Sequence, residues 1–203
     1  MNMTGDILEQ AMELFDSAGV VTTEAGMVLI LGLGSTVETN LDEAVIEDGR
    51  FVLQGWLKHA KPRVTTLRDL IRERGFEAEA VGWWGYPVGE AMQLKPLAVI
   101  AGLGGQGKNT LIIHHKFGPW LRLAAIRTNA PLTPTGPGIY ERQENPLCQS
   151  CQACIKACPV EGLLQPYRLL DPARCRLNIS PDIDWEKAVW CDMGCVTKCP
   201  VGR

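Results

Sequence analysis

The stretch CQSCQACIKACP (148–159) holds four of the eight cysteines of the chain, in the spacing C-x2-C-x2-C-x3-C-P. This run is typical of bacterial ferredoxins, in which the cysteine before proline binds a different cluster from the other three. Three thiolates two residues apart can reach three corners of one [4Fe–4S] cluster from a tight turn. The fourth cysteine begins the next segment and points away. The stretch therefore predicts a module with two [4Fe–4S] clusters.

A second group, CDMGCVTKCP (191–200), ends in the same x3-C-P unit, and a lone cysteine lies 16 positions upstream of it. Eight thiolates make two sets of four. We expect the first cluster to be held by Cys148, Cys151, Cys154 and Cys199. We expect the second to be held by Cys158, Cys175, Cys191 and Cys195. The second group departs from the simple repeat, so a [3Fe–4S] form of one cluster stays open.

Zinc and disulfides are the alternative uses of these cysteines. Zinc sites usually pair two C-x2-C units across a longer gap, often with histidine. The three histidines, at 59, 114 and 115, lie far upstream. Disulfides need an oxidising compartment. The start, MNMTGDILEQ, has no basic stretch followed by an apolar one, so we expect a cytoplasmic protein.

The first 147 residues contain no cysteine, and this step in composition suggests the domain boundary. We expect an α+β cofactor-binding core over 1–130, a linker rich in proline and glycine over 131–147, and the cluster module over 148–203. No apolar run reaches the ~18 residues of a membrane span, so we expect no membrane partner. Residues 61–203 carry 18 basic and 13 acidic side chains. Because this excess is small and dispersed, we do not expect a nucleic-acid partner.

Apolar patterning predicts the main elements of the core. A helical face runs over 7–18, with Gly19 as a helix stop. A second helix is expected from a cap at Thr65 or Thr66 to Arg74, with Gly75 just past its end. Strands are expected at 27–34 and 76–81, and another apolar run at 97–104 leads into glycines. Residues 111–128 look like two strands joined as a hairpin around Phe117-Gly118-Pro119.

The loop GLGGQGKN (102–109) satisfies G-x-G-x-x-G and nearly satisfies the phosphate-binding loop of nucleotide hydrolases. Asn109 stands where the latter needs a hydroxyl, and the following LIIHH favours a strand over a helix. We therefore favour a loop whose bare backbone approaches a large flat or phosphate-bearing cofactor. A structural glycine turn, a nucleotide-hydrolysing loop and a dinucleotide fold are the alternatives.

The segment AGLGGQGKNTLIIHHKFGPWLRLAAIRTNAPL (101–132), followed by both cysteine groups in this order and spacing, resembles epoxyqueuosine reductase. That family is an iron–sulfur, cobalamin-dependent tRNA-modification enzyme related to the reductive dehalogenases. The resemblance covers roughly residues 97–200 and is faint before them. It implies an α+β fold: a nitroreductase-like α/β core, followed by a C-terminal two-cluster bacterial ferredoxin-like module.

The resemblance also implies cofactor contacts. The corrinoid would be lined by Gly102, Gly104, Gly107, Lys108, Asn109 and Thr128. The second-cluster cysteines would lie nearest the cobalt. The family carries a proton-donating Asp three residues before a Pro-x-x-Glu unit; here Pro87 to Glu90 match the unit, but Trp84 occupies the Asp position. Tyr86 and Tyr140 are weak candidates to replace that acid, because a phenol can serve as a general acid.

The resemblance implies a cobalamin-dependent reductase in which two [4Fe–4S] clusters deliver electrons to a bound corrinoid. Reduced ferredoxin or flavodoxin would be the electron donor, and a small molecule or a corrinoid protein would be the partner. The missing Asp leaves two alternatives open: a non-catalytic, ferredoxin-like electron-transfer protein, or the same fold binding flavin. A free position above cobalt would favour the enzyme, and a pocket packed by Trp83, Trp84 and Tyr86 would favour the carrier.

Overall fold

The computed structural model describes residues 3–48, 50–82, 92–140, 145–168 and 193–202. Its centre is a four-stranded antiparallel sheet in the order β1-β2-β8-β5. These strands are β1 (Ser17–Thr23), β2 (Gly26–Gly34), β5 (Ala78–Val81) and β8 (Leu121–Thr128). Two small ribbons pair β3 (Val45–Glu47) with β4 (Arg50–Val52), and β6 (Gly105–Gln106) with β7 (Ile112–Ile113).

Among the described residues, five helices accompany the strands. They are α1 (Met3–Leu14), α2 (Lys61–Glu73), α3 (Leu94–Ile100), α4 (Ala153–Lys156) and α5 (Gly194–Thr197). A π-helical turn (Trp56–Ala60) leads into α2, and a 3₁₀ turn (Pro146–Cys148) precedes α4. The mixture of helices and strands agrees with the predicted α+β class. Within the described ranges, no helix is long and apolar enough to cross a bilayer.

Strand β2 is buried on both faces, which explains its nearly continuous apolar sequence. Alternate side chains of a strand point to opposite faces. Leu29 and Leu31 pack in a core with α1 and α2, whereas Val28 and Ile30 pack in a second core with α3. The sheet therefore forms the middle of three layers. The predicted strands at 27–34 and 76–81 are confirmed as β2 and β5.

Both predicted helices need corrected boundaries. Helix α1 ends at Leu14, not at residue 18, and Gly19 lies inside β1. Gly19 is required there by a tertiary contact, because a Cβ on it would lie 2.5 Å from the Ala101 carbonyl oxygen. Helix α2 begins at Lys61, before the threonines expected to cap it, with a proline in its first turn. Gly75, at φ +87°, follows the helix as predicted.

The predicted hairpin over 111–128 is wrong in its pairing. Both strands exist, but β7 pairs with β6, and β8 pairs with β2 and β5. Only one bridge, between His114 and Gly118, closes the turn that joins them. Burial explains the choice, since β8 fills the middle of the sheet and contributes to both cores. The apolar run at 97–104 contributes the end of α3 and then the glycine loop.

Candidate functional site

Four cysteines from two distant segments line one small cavity that is partly open to solvent. They are Cys148, Cys151, Cys154 and Cys199, the set predicted for the first cluster. We call this space the thiol cavity. Its wall also includes Lys108, Asn109, Ile113, Leu147, Pro200 and Val201. The structure therefore brings together residues that lie up to 93 positions apart in the sequence, from Lys108 to Val201.

Tight turns bring the first three thiols to the cavity. The Asn145 side chain accepts a hydrogen bond from the Leu147 backbone N–H at 3.0 Å and so caps the 3₁₀ turn. The Cys151 N–H then donates to the Cys148 carbonyl at 3.0 Å, and α4 begins two residues later. Cys154 lies on α4 and is buried. Asparagine before proline is the usual signature of a capped turn, and the sequence reasoning missed it.

The cysteine side chains act on one another electrostatically. The pKa of Cys154 is raised to about 11, chiefly by burial and then by the neighbouring Cys148 and Cys151 thiolates. Cys199 also contributes to this rise, while the Ile155 backbone N–H opposes it. Four thiolates in one small space repel each other, so they need bound positive charge to coexist. This donor set is suited to a soft metal centre.

The six described cysteines form no disulfide bond. In the described ranges, no three His, Cys, Asp or Glu side chains form a group that could hold one metal ion. Zinc binds each thiolate at about 2.3 Å, which draws four of them to within ~4 Å of one another. Thiolates around an iron–sulfur cluster bind different irons and stand further apart. Four cysteines that line one cavity could hold either kind of centre, and the C-x2-C-x2-C-x3-C-P spacing is what favours the cluster.

Only half of the second predicted ligand set lies within the described residues. Cys158 accepts a hydrogen bond on its sulfur from the Gly162 N–H at 3.3 Å. Cys195 lies on α5, which contacts α4. Cys175 and Cys191 lie outside the described residues, so this set stays a prediction.

The glycine loop contacts both cysteine segments through two adjacent polar side chains. The buried Lys108 donates from Nζ to the Gln149 carbonyl at 2.7 Å and to the Cys151 carbonyl at 3.2 Å. Asn109 donates from Nδ2 to the Cys195 carbonyl at 2.9 Å. The predicted corrinoid contacts Lys108 and Asn109 are therefore in place beside the thiol cavity, where they hold backbone of the cysteine segments. Their contact with a corrinoid stays a prediction.

The glycines of the loop are used for close packing. A Cβ on Gly107 would lie 2.7 Å from Asn109 Oδ1, and one on Gly104 would lie 2.5 Å from the Ile113 carbonyl. A Cβ on Gly102 would lie 3.4 Å from the Gly136 Cα atom. These contacts supply a packing reason for the glycines that is independent of any cofactor.

Thr128 lies at the end of β8 and lines a different cavity from Lys108 and Asn109. It donates to the Glu77 carbonyl at 2.6 Å, and Arg127 lines the same open cavity.

Tyr140 lies beside the glycine loop. Its half-buried hydroxyl donates to Gln106 Oε1 at 2.5 Å, and Gln106 belongs to β6. Tyr86, the other candidate acid, lies outside the described residues, as do Trp83, Trp84, Pro87 and Glu90. A residue that the sequence reasoning missed is Tyr167, whose hydroxyl accepts from the Asn145 N–H at 3.0 Å.

Comparison with curated proteins identifies two groups of relatives. A tetrachloroethene reductive dehalogenase of Dehalobacter restrictus is 35% identical over 104 residues, which are 50% of this chain and 18% of that protein. An epoxyqueuosine reductase of Shewanella oneidensis is 33% identical over 120 residues, 54% of this chain and 28% of that protein. The chain spans 18% to 44% of the length of the first curated relatives that it matches. No protein-family model matches it.

Solved structures agree with these relatives in fold. An epoxyqueuosine reductase from Streptococcus thermophilus superposes on all of this chain and 67% of its own, with TM-score 0.69 and 18% identity. An epoxyqueuosine reductase solved with a tRNA stem loop has TM-score 0.67 and 16% identity, over 98% of this chain and 64% of its own. A reductive dehalogenase whose structure suggests a mechanism for B12-dependent dehalogenation has TM-score 0.53 and 16% identity. The superposition covers 77% of this chain and 24% of that chain.

Proposed function

We propose that the chain is an iron–sulfur redox protein that works as a cobalamin-dependent reductase. Its homologues are named epoxyqueuosine reductases and reductive dehalogenases, as the sequence resemblance predicted. The thiol cavity carries this proposal, because four cysteines from the predicted first-cluster set meet in one place. The second cluster would be held by Cys158, Cys175, Cys191 and Cys195. In this proposal, residues 148–203 form a ferredoxin-like module after a nitroreductase-like core.

Each [4Fe–4S] cluster supplies one-electron transfer when bound. The residues of the chain do the rest. Four cysteines hold the first cluster, and the Asn145 cap presents the turn that carries Cys148. Asn109 ties the glycine loop to Cys195, a proposed ligand of the second cluster. This contact places the loop between the two cluster segments, where electrons would enter the core.

A corrinoid is the cofactor that the relatives favour, because one structural relative is described as B12-dependent. The loop of residues 102–107 that would face it leads directly into Lys108 and Asn109, which line the thiol cavity. Tyr140 would hold the proton for the reaction at its hydroxyl, which already donates to Gln106. We expect a reduced ferredoxin or flavodoxin to supply the electrons.

The experiment that tests this proposal begins with the chain purified without oxygen and reconstituted with iron and sulfide. We expect about eight irons per chain, four per cluster. Cys154→Ala should retain about four. Titration of the loaded protein with cob(II)alamin should then give a saturable change in the visible spectrum, to a form without its lower benzimidazole ligand. We expect Thr128→Val to titrate like the wild type, because Thr128 lines a different cavity from Lys108.

Other outcomes of the same experiment select other functions. Loaded clusters with no response to cob(II)alamin would refute the corrinoid enzyme, and a response to flavin instead would identify the third alternative. Loaded clusters with neither response would leave a ferredoxin-like carrier. A wild-type chain with no iron would refute the whole proposal.

A nucleic-acid substrate is the second candidate function, although the charge pattern of the sequence does not favour it. The relative solved with a tRNA stem loop covers 98% of this chain. A fluorescent tRNA stem loop is therefore the probe of choice for binding. Saturable binding that weakens as salt rises would favour RNA modification. Binding equal to that of an unrelated hairpin would favour a small molecule.

A further inference from the structure

One buried cation forms part of the wall of the thiol cavity. Lys108 is only 9% exposed and lines this cavity with Cys148, Cys151 and Cys154. Its ammonium group donates to two carbonyls of the cysteine turn, those of Gln149 and Cys151. The ammonium group therefore lies against the peptide groups of the turn that carries the proposed ligands. Lys108 itself belongs to the glycine loop of the core and not to the cysteine segments.

We propose that the Lys108 ammonium group, held against the turn that carries Cys148 and Cys151, raises the reduction potential of the first cluster. This inference rests on the proposed function, since it needs the cluster. On reduction, one electron enters the cluster from an external reductant, and the cluster gains one negative charge. A positive charge nearby stabilises the reduced form more than the oxidised form, and burial weakens the screening of that interaction by water.

The chain contains a matched control for charge. Lys198 directly precedes Cys199, so it is as close to a ligand in sequence as any lysine can be. It is exposed, however, and does not line the cavity. Water and salt screen such a charge. Removal of Lys198 should therefore leave the potential unchanged, whereas removal of Lys108 should lower it.

The test is a potentiometric titration of the loaded full-length chain, followed by electron paramagnetic resonance. The variants are Lys108→Met, Lys108→Gln, Lys108→Arg and Lys198→Met, and the first-cluster signal is the one that Cys154→Ala removes. We expect Lys108→Met and Lys108→Gln to lower the ratio of reduced to oxidised cluster about tenfold at a fixed potential. That change equals ~59 mV for a one-electron couple. Lys108→Arg keeps the charge and should restore most of the wild-type ratio.

The outcomes separate tuning from structure. Gln can still donate to a carbonyl, so a loaded Lys108→Gln variant with the wild-type potential would overturn the proposal. An equal shift in Lys198→Met would overturn it too, because charge at any position would then suffice. Failure of all three Lys108 variants, Arg included, to load the first cluster would also overturn it, since charge would not be the property that matters. A wild type without iron would instead refute the proposed function.

Discussion

Gly118 is the position at which a single methyl group should disturb the proposed first cluster from a distance. It lies in the turn before β8, at φ +52°. A Cβ built on it would lie 2.0 Å from the Val201 carbonyl oxygen and 2.6 Å from the carbonyl carbon. Real carbon–oxygen contacts are longer than about 3 Å, so Gly118→Ala must move the backbone at Val201 by about 1 Å. Val201 is two residues after Cys199, the proposed ligand that completes the lining of the thiol cavity.

Two costs combine in this variant, and a control separates them. The left-handed conformation costs an alanine about 1–2 kcal/mol, whatever its neighbours. Gly75 pays the same type of cost when changed to alanine, since its φ is +87° and nothing lies within 4 Å of its Cβ. Gly75→Ala should therefore lose about 1–2 kcal/mol of unfolding free energy and keep both clusters. Gly118→Ala should lose more, and its displaced Cys199 should reduce the iron content from about eight to about four.

The assay combines urea unfolding of the apoprotein with iron and sulfide analysis after reconstitution without oxygen. We expect Gly118→Ala and Gly75→Ala to differ in iron content and not only in stability. If Gly118→Ala retains about eight irons and has the same urea midpoint as Gly75→Ala, then the contact at Val201 does not position the proposed ligand.

Three further predictions concern thiols, charge and pH. Cys154→Ala should remove about four irons and leave the other cluster's paramagnetic signal intact; loss of both signals would contradict separate ligand sets. Arg122→Gln should lower the unfolding free energy by about 1.5–3 kcal/mol in urea, because its bonds to Asp42 at 2.7 and 2.9 Å are largely shielded. Arg127→Gln breaks a more exposed pair and should cost under about 1 kcal/mol, so equal losses would be inconsistent with this reasoning. Burial, and then the charge of the adjacent His115, lower the pKa of His114 below 6.5. The unfolded chain therefore binds more protons, and stability should fall as pH drops below about 6.5. Urea midpoints measured across that pH range test this, and the same dependence of stability on pH in His114→Asn would contradict it.

Local spacing predicted which cysteines would meet. Cys148, Cys151 and Cys154 are brought together by turns of a few residues, and such turns can be inferred from C-x2-C-x2-C. Cys199 lies 45 residues beyond Cys154, yet its C-P unit marked it as the ligand from the other segment. The described structure places all four on one cavity. The strand at 27–34 was also predictable, because burial on both faces leaves a continuous apolar run.

Long-range contacts account for the errors. Gly19 looks like a helix stop, but it pairs with Ile30 in the sheet, and the Ala101 carbonyl leaves no room for a Cβ there. The pairing of β8 could not be inferred from its neighbour β7, since the partner that it buries against, β2, lies about 90 residues earlier. The partners of Lys108 were hidden for a different reason. They are backbone carbonyls, which every residue carries, so no side-chain pattern reveals them.

The contacts of the glycine loop make the core part of the cluster site. Lys108 reaches the first cysteine segment and Asn109 reaches the second, while Gly118 packs against the segment that follows Cys199. A chain that only carried electrons could place its clusters in residues 148–203 alone, as the cysteine spacing would allow. Here the geometry of the cysteine segments depends on residues 107–118, which adjoin the loop proposed to face the corrinoid. A change in that loop on cofactor binding would therefore reach both cysteine segments through the hydrogen bonds that the Lys108 and Asn109 side chains donate to their backbone carbonyls. These contacts between the loop and the cysteine segments favour a reductase over a carrier with an attached domain, because a reductase must hold its clusters at a fixed position relative to the cofactor site.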